Sequence, residues 1–95
     1  MLLKNITQDI VFEKLDEMLP NIVKICTCER CRYDIMAIAL NNLPPRYVVT
    51  ERGAIFTRVS SLDVQIAADT IIELTRAIEK VLKEPRHEIH NNSQQ

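Results

Sequence analysis

The sequence predicts an α+β fold: a small domain of three main helices with a β-hairpin and a cysteine-rich loop. Three observations lead there. Apolar residues recur at helical spacing in three separate segments, β-branched and aromatic residues flank the only glycine, and all three cysteines fall inside Cys26-Thr27-Cys28-Glu29-Arg30-Cys31. At 95 residues the chain makes one domain, of which residues 1–84 hold the periodic segments and 85–95 read as a polar tail. A chain of this size buries only about 60–65 % of the surface its unfolded form exposes, so a metal ion or a second copy would add needed support.

The first helix is read from Leu3, Ile6, Ile10, Val11, Leu15, Met18 and Leu19, spaced by threes and fours. Asn5 or Thr7 can cap its start, Asp9 sits near the positive end of the helix dipole, and Pro20 stops it. Asn21 to Ile25 alternate loosely. From about Glu29 the helical period returns, with Cys31, Ile35, Ile38, Ala39 and Leu43 on one face and Pro44-Pro45 as the stop. Arg46-Tyr47-Val48-Val49-Thr50 and Ala54-Ile55-Phe56-Thr57-Arg58-Val59 then read as two strands. Glu51-Arg52-Gly53 joins them as a hairpin connection, with Gly53 taking the positive φ. Such a hairpin is marginal alone and must lean on helices or on another chain. Ser60 and Asp63 form a capping box for a last helix running to about Lys83. Its stripe is Val64, Ala67, Ala68, Ile71, Leu74, Ile78, Val81 and Leu82, widened by Leu62, Ile66 and Ile72. A face so broad is more than four elements can cover, and it predicts a homodimer.

Composition narrows the function. Twelve basic and 13 acidic side chains give a net charge of −1, without the basic excess on which binding to double-stranded DNA depends. No apolar run approaches the ~20 residues that span a bilayer, and Met1 to Asp9 has no signal-peptide core. The expected location is the cytoplasm, where an odd number of clustered thiols suits the reducing conditions.

The cysteine spacing is C-x-C-x-x-C. Thiolates are soft ligands for Zn²⁺. Cys28 lies near a helix start, Cys31 one turn on, and Cys26 in the loop before, so three sulfurs can converge without help from distant chain. A closed zinc site takes four ligands. The fourth is open among His87, His90, Asp34, the N-terminal amine, water and a group from a second subunit. Ordinary buried thiols are the plainer alternative. A redox reading of Cys28-Glu29-Arg30-Cys31 lacks the strand-then-helix unit of a larger α/β fold that usually carries such a dithiol. Structural zinc is the expectation, because it would decide whether so small a domain folds. Catalysis is not expected: the sequence holds no paired-carboxylate motif, glycine-rich loop or nucleophile set, and Glu29 alone does not make a zinc enzyme.

The run CTCERCRYDIMAIALNNLPPRYVVTERG, Cys26 to Gly53, resembles the late competence protein ComFB family. The matching features are the cysteine cluster, Asp34 just after it, the helix end Ala39-Leu40-Asn41 and the string Leu43-Pro44-Pro45-Arg46-Tyr47. The first and last helices fit as well, so the resemblance spans residues 1 to about 84. It implies a small homodimeric α+β protein that binds zinc, encoded beside a DNA-uptake helicase. Relatives in cyanobacteria are described as receptors for cyclic dinucleotides. Some of these lack the cysteines, so the resemblance allows zinc and nucleotide binding to be separate properties.

A ligand with two phosphates and two purines wants arginines for the phosphates and flat groups for stacking. Arg46, Tyr47, Arg52 and Arg58 are the candidate residues, and a two-fold axis would present two sets to a two-fold symmetric ligand. The plainer reading makes the arginines solvated strand residues and puts Tyr47 and Phe56 in the core. Two functions follow: a receptor for cyclic di-GMP or cyclic di-AMP, or a zinc-stabilised adaptor that docks competence proteins.

Overall fold

The structure is a computed structural model describing residues 1, 3–22 and 25–83. It is a mostly helical α+β domain with one two-stranded antiparallel pair and a cysteine-bearing loop, the class the sequence predicts. In chain order the elements are strand β1 (Lys4–Asn5), helix α1 (Ile6–Met18), a 3₁₀ turn (Leu19–Asn21), helix α2 (Glu29–Asn41), strand β2 (Tyr47–Val48), helix α3 (Glu51–Ser60) and helix α4 (Val64–Lys83).

Asn5 ends β1 and caps α1, its Oδ1 accepting the Thr7 N–H at 3.1 Å. The same oxygen accepts the Arg46 N–H at 2.8 Å. Thr7 is buried; its hydroxyl donates to the Pro44 carbonyl at 2.9 Å and accepts from Arg46 Nη1 at 3.2 Å. These bonds hold the chain after the double proline against the start of α1, and β2 pairs there with β1 through Lys4↔Val48 and Asn5↔Tyr47.

Helix α2 packs chiefly on α4, and α1 closes against both. Val11, Leu15, Cys31, Ile35, Ala39, Leu74, Ala77, Ile78 and Val81 meet in one core. Leu15, Ile35 and Leu74 are fully enclosed, and burying each such side chain is worth about 1.5–3 kcal/mol. At the rim, Arg32 of α2 reaches α1, its Nη2 bonding Asp16 at 2.6 Å and its guanidinium lying 5.3 Å from the Phe12 ring centre.

Two expectations need correction. The hairpin between 46–50 and 54–59 does not form: residues 51–60 are helical, and β2 takes its partner from the N-terminus. The cause is local. The Thr50 hydroxyl oxygen accepts the Gly53 N–H at 3.0 Å, Ala54 N–H bonds the Thr50 carbonyl at 3.0 Å, and Glu51 sits in the first turn. That cap and charge placement starts a helix, and β-branched residues carry strand preference only where a sheet offers a place to pack. Gly53 lies in the first turn of α3, beside Thr50, rather than in a left-handed turn. The second correction concerns the last helix. Ser60 belongs to α3, with its hydroxyl on the Phe56 carbonyl, and Asp63 starts α4 by accepting the Gln65 N–H at 2.9 Å. The polar tail at 85–95 lies outside the described residues.

Candidate metal centre

Cys28 is the N-cap of α2, and its sulfur accepts the Cys31 N–H at 3.5 Å. Cys31 sits in the first turn with its side chain in the core, while Cys28 is exposed and Cys26 is half-buried in the preceding loop. The three sulfurs lie within 4.8 Å of one another. Sulfurs bound to one tetrahedral zinc at 2.3 Å lie about 3.8 Å apart, so the cluster fits a metal ion with small side-chain adjustments. Cysteines 26, 28 and 31 are therefore brought together as the spacing predicts.

The electrostatics divide the site. The Cys31 N–H, followed by the neighbouring thiols, lowers the pKa of Cys28. Burial, and then the crowding by Cys28 and Cys26, pushes Cys31 up to about 12. A bound cation would reverse the second effect, since a coordinating thiol gives up its proton. Asp34 lies outside the sulfur cluster, and its two oxygens take the Arg30 Nε at 3.3 and 3.2 Å. His87 and His90 lie outside the described residues.

The four residues considered for ligand binding divide between two elements. Arg46 precedes β2 and is half-buried on Thr7, and Tyr47 is exposed on β2. Arg52 and Arg58 belong to α3. Arg58 makes a two-bond clamp on Glu13, at 3.1 and 2.8 Å, and lies 3.8 Å from Asp9. The Glu13 contact raises the Arg58 pKa, and it leaves the guanidinium facing carboxylates of α1.

Sequence reasoning missed the surface of α3. This helix buries none of its residues; Ile55, Phe56 and Val59 are exposed, as are Leu62 and Val64 beyond its end. The spacing of 55, 56 and 59 was a helical signal available in the sequence, masked by the strand preference of the same residues. A shallow groove on this face is lined by Glu51, Arg52, Ile55, Phe56 and Val59.

Comparison with known proteins agrees with this architecture. The late competence development protein ComFB family matches residues 4–85. The chain belongs to the ComFB family. It is 26 % identical over 84 residues to competence protein ComFB of Bacillus subtilis (strain 168), covering 88 % of this chain and 86 % of that protein. The solved structure of late competence protein ComFB from Bacillus subtilis superposes with a TM-score of 0.80 at 26 % identity, over 88 % of this chain and 92 % of the other. The ComFB assignment thus covers both the cysteine loop and the helices packed behind it. Among the described residues, no helix is long and apolar enough to cross a membrane.

Proposed function

We propose that this ComFB-family chain is a non-enzymatic, zinc-binding homodimer of the cytoplasm that receives a cyclic dinucleotide and passes its state to competence proteins. The observation that carries the metal is the convergence of the Cys26, Cys28 and Cys31 sulfurs within 4.8 Å. Zinc there would tie the loop before α2 to the core through Cys31. It would act as a brace, with no substrate chemistry required of it.

The dimer is supported by α3. A ten-residue helix is marginal in water by itself, and this one buries no side chain within its own chain. A second copy laid on Ile55, Phe56 and Val59 would cover that face; a stable interface takes about 800 Å² per partner. Replacing Phe56 by Glu is expected to shift the chain from dimer to monomer in analytical ultracentrifugation. A wild-type chain that sediments as a monomer at micromolar concentration would contradict the dimer.

The ligand reading is supported by exposure. Tyr47, which the plainer reading put in the core, is 63 % exposed on β2, and Arg52 is exposed in the first turn of α3. Two such sets across a dimer axis would offer stacking planes and guanidinium groups. Titration calorimetry with cyclic di-GMP and cyclic di-AMP tests this: saturable heat that Arg52→Ala removes is expected. The absence of heat and of any melting shift at high ligand would discard it. The adaptor reading is favoured by Arg58, which Glu13 and Asp9 already neutralise; under that reading the apolar face of α3 docks a protein alone.

A further inference from the structure

We propose that Cys28 and Cys31 close to a disulfide when the chain meets a hydroperoxide, and that this bond and a bound metal exclude one another. The cluster would then be a redox switch as well as a brace. The exclusion rests on the zinc reading above; the disulfide does not.

The two sulfurs are placed unequally. Cys28 is exposed at the start of α2, whereas Cys31 is 1 % exposed and packed among core residues. A small oxidant therefore meets Cys28 first. Its sulfur already lies over the first turn of α2, where it accepts the N–H of Cys31 at 3.5 Å. Residues three apart on a helix have Cα atoms about 5 Å apart, inside the roughly 4.4–6.8 Å range of disulfides. The sulfurs start within 4.8 Å and must close to about 2.05 Å. Rotation of the exposed Cys28 side chain supplies that movement and leaves Cys31 in the core. Cys26 is two residues from Cys28 in the loop; where the backbone is extended, that spacing sets the Cα atoms about 6.6 Å apart, at the far end of the disulfide range.

The chemistry balances with the hydroperoxide as the two-electron oxidant. The Cys28 sulfur attacks the terminal peroxide oxygen, the O–O bond breaks, and the alcohol (or water, from hydrogen peroxide) departs with a proton. Cys28 is left as a sulfenic acid. The Cys31 sulfur then attacks the Cys28 sulfur. An S–S bond forms, the S–O bond breaks, and the hydroxyl leaves as water with the proton that Cys31 surrenders. Two thiols are oxidised and one peroxide is reduced. Of the three sulfurs only Cys26 then remains a thiol, too few to hold a metal, and a dithiol reductant restores the other two.

The test uses the full chain, stripped of metal under reduction and treated with hydrogen peroxide. Free thiols are then blocked and the chain is digested with trypsin. Cleavage after Lys24, Arg30 and Arg32 places Cys26 and Cys28 in peptide 25–30 and Cys31 in peptide 31–32. The expected product is an intact mass about 2 Da lower, with the two peptides joined through Cys28. Cys26→Ser should still form it, and Cys28→Ser should not. A link inside peptide 25–30, disulfides between chains, or oxygen gain without a link would overturn the proposal, and the wild-type map decides even where a variant fails to fold. In a second arm the chain is loaded with zinc and treated in the presence of a chromogenic zinc indicator. Release in step with the disulfide, reversed by a thiol reductant, is expected. A chain that forms the link and keeps its zinc would refute the exclusion. A chain that takes up no zinc would end the zinc reading, and the exclusion with it, while the first arm still decides the disulfide.

Discussion

Replacing Asn5 by Ala should weaken the whole domain, although Asn5 lies at the start of the chain and only partly under its surface. One oxygen does two tasks there: Oδ1 caps α1 through the Thr7 N–H at 3.1 Å and takes the Arg46 N–H at 2.8 Å. Loss of an Asn cap costs about 1 kcal/mol. The Arg46 N–H is half-enclosed and loses its acceptor, which adds roughly 1–3 kcal/mol. The sum is about 2–4 kcal/mol, or a melting temperature lower by roughly 10–20 °C for a domain of this size. Asn5→Asp keeps an acceptor in the same place and should stay within about 0.5 kcal/mol of the parent, since Asp and Asn cap equally well. Urea unfolding followed by circular dichroism, with zinc fixed at one concentration, gives both values. An Asn5→Ala chain within about 0.5 kcal/mol of the parent would refute the claim that this side chain joins the N-terminus to the segment after the double proline.

Three further outcomes follow from the same structure. Ile35→Ala empties a fully enclosed site in the α2–α4 contact and should cost about 2–5 kcal/mol in urea unfolding; less than about 1 kcal/mol would mean that the packing is looser than described. Thr50→Ala removes the α3 cap and should lower stability by about 1 kcal/mol with a small loss of helical ellipticity, whereas an unchanged chain would argue against α3. In metal-free protein, burial holds the Cys31 proton up to about pH 12 against an ordinary 9.0. Between those values the native state keeps a proton that the unfolded chain has lost, so stability is full below pH 9 and falls as pH rises toward 12. Cys31→Ala should flatten that limb of the curve, and an equally steep limb in the variant would assign it to another group.

Much of this fold was legible because its helices announce themselves locally. The periodic apolar residues of α1, α2 and α4 mark the packed faces, and Leu15, Ile35, Leu74 and Ile78 are buried as their spacing predicts. The stripe of α4 is narrower than its apolar residues suggest: Val64 is 82 % exposed at the start of the helix, and Ile71 and Leu82 are exposed to the side of the buried Leu74, Ala77, Ile78 and Val81. Strand β1 was not legible, since two residues show no alternation and their partner lies 42 or more positions away. The segment 51–60 does not declare its helix because its β-branched residues fit two structures, and the features that favour the helix, the Thr50 cap and Glu51 in the first turn, are single residues.

The candidate site divides in the same way. Three ligands within six residues at a helix start are a local fact, and the sulfurs meet as the spacing requires. The arginines depend on distant partners. Nothing near Arg58 in sequence reveals that Glu13, 45 positions away, holds both its terminal nitrogens. Phe56 is exposed because residues 51–60 form a helix whose Arg58 reaches α1, which leaves Ile55, Phe56 and Val59 on its outer side.

The most direct test of the account removes the metal from reduced protein with a chelator, measures zinc before and after, and melts both samples. The account predicts about one zinc per chain bound through Cys26, Cys28 and Cys31, and a clearly lower and less cooperative transition once it is gone. Reduced chain that carries no zinc, takes up none on titration and melts unchanged would contradict it.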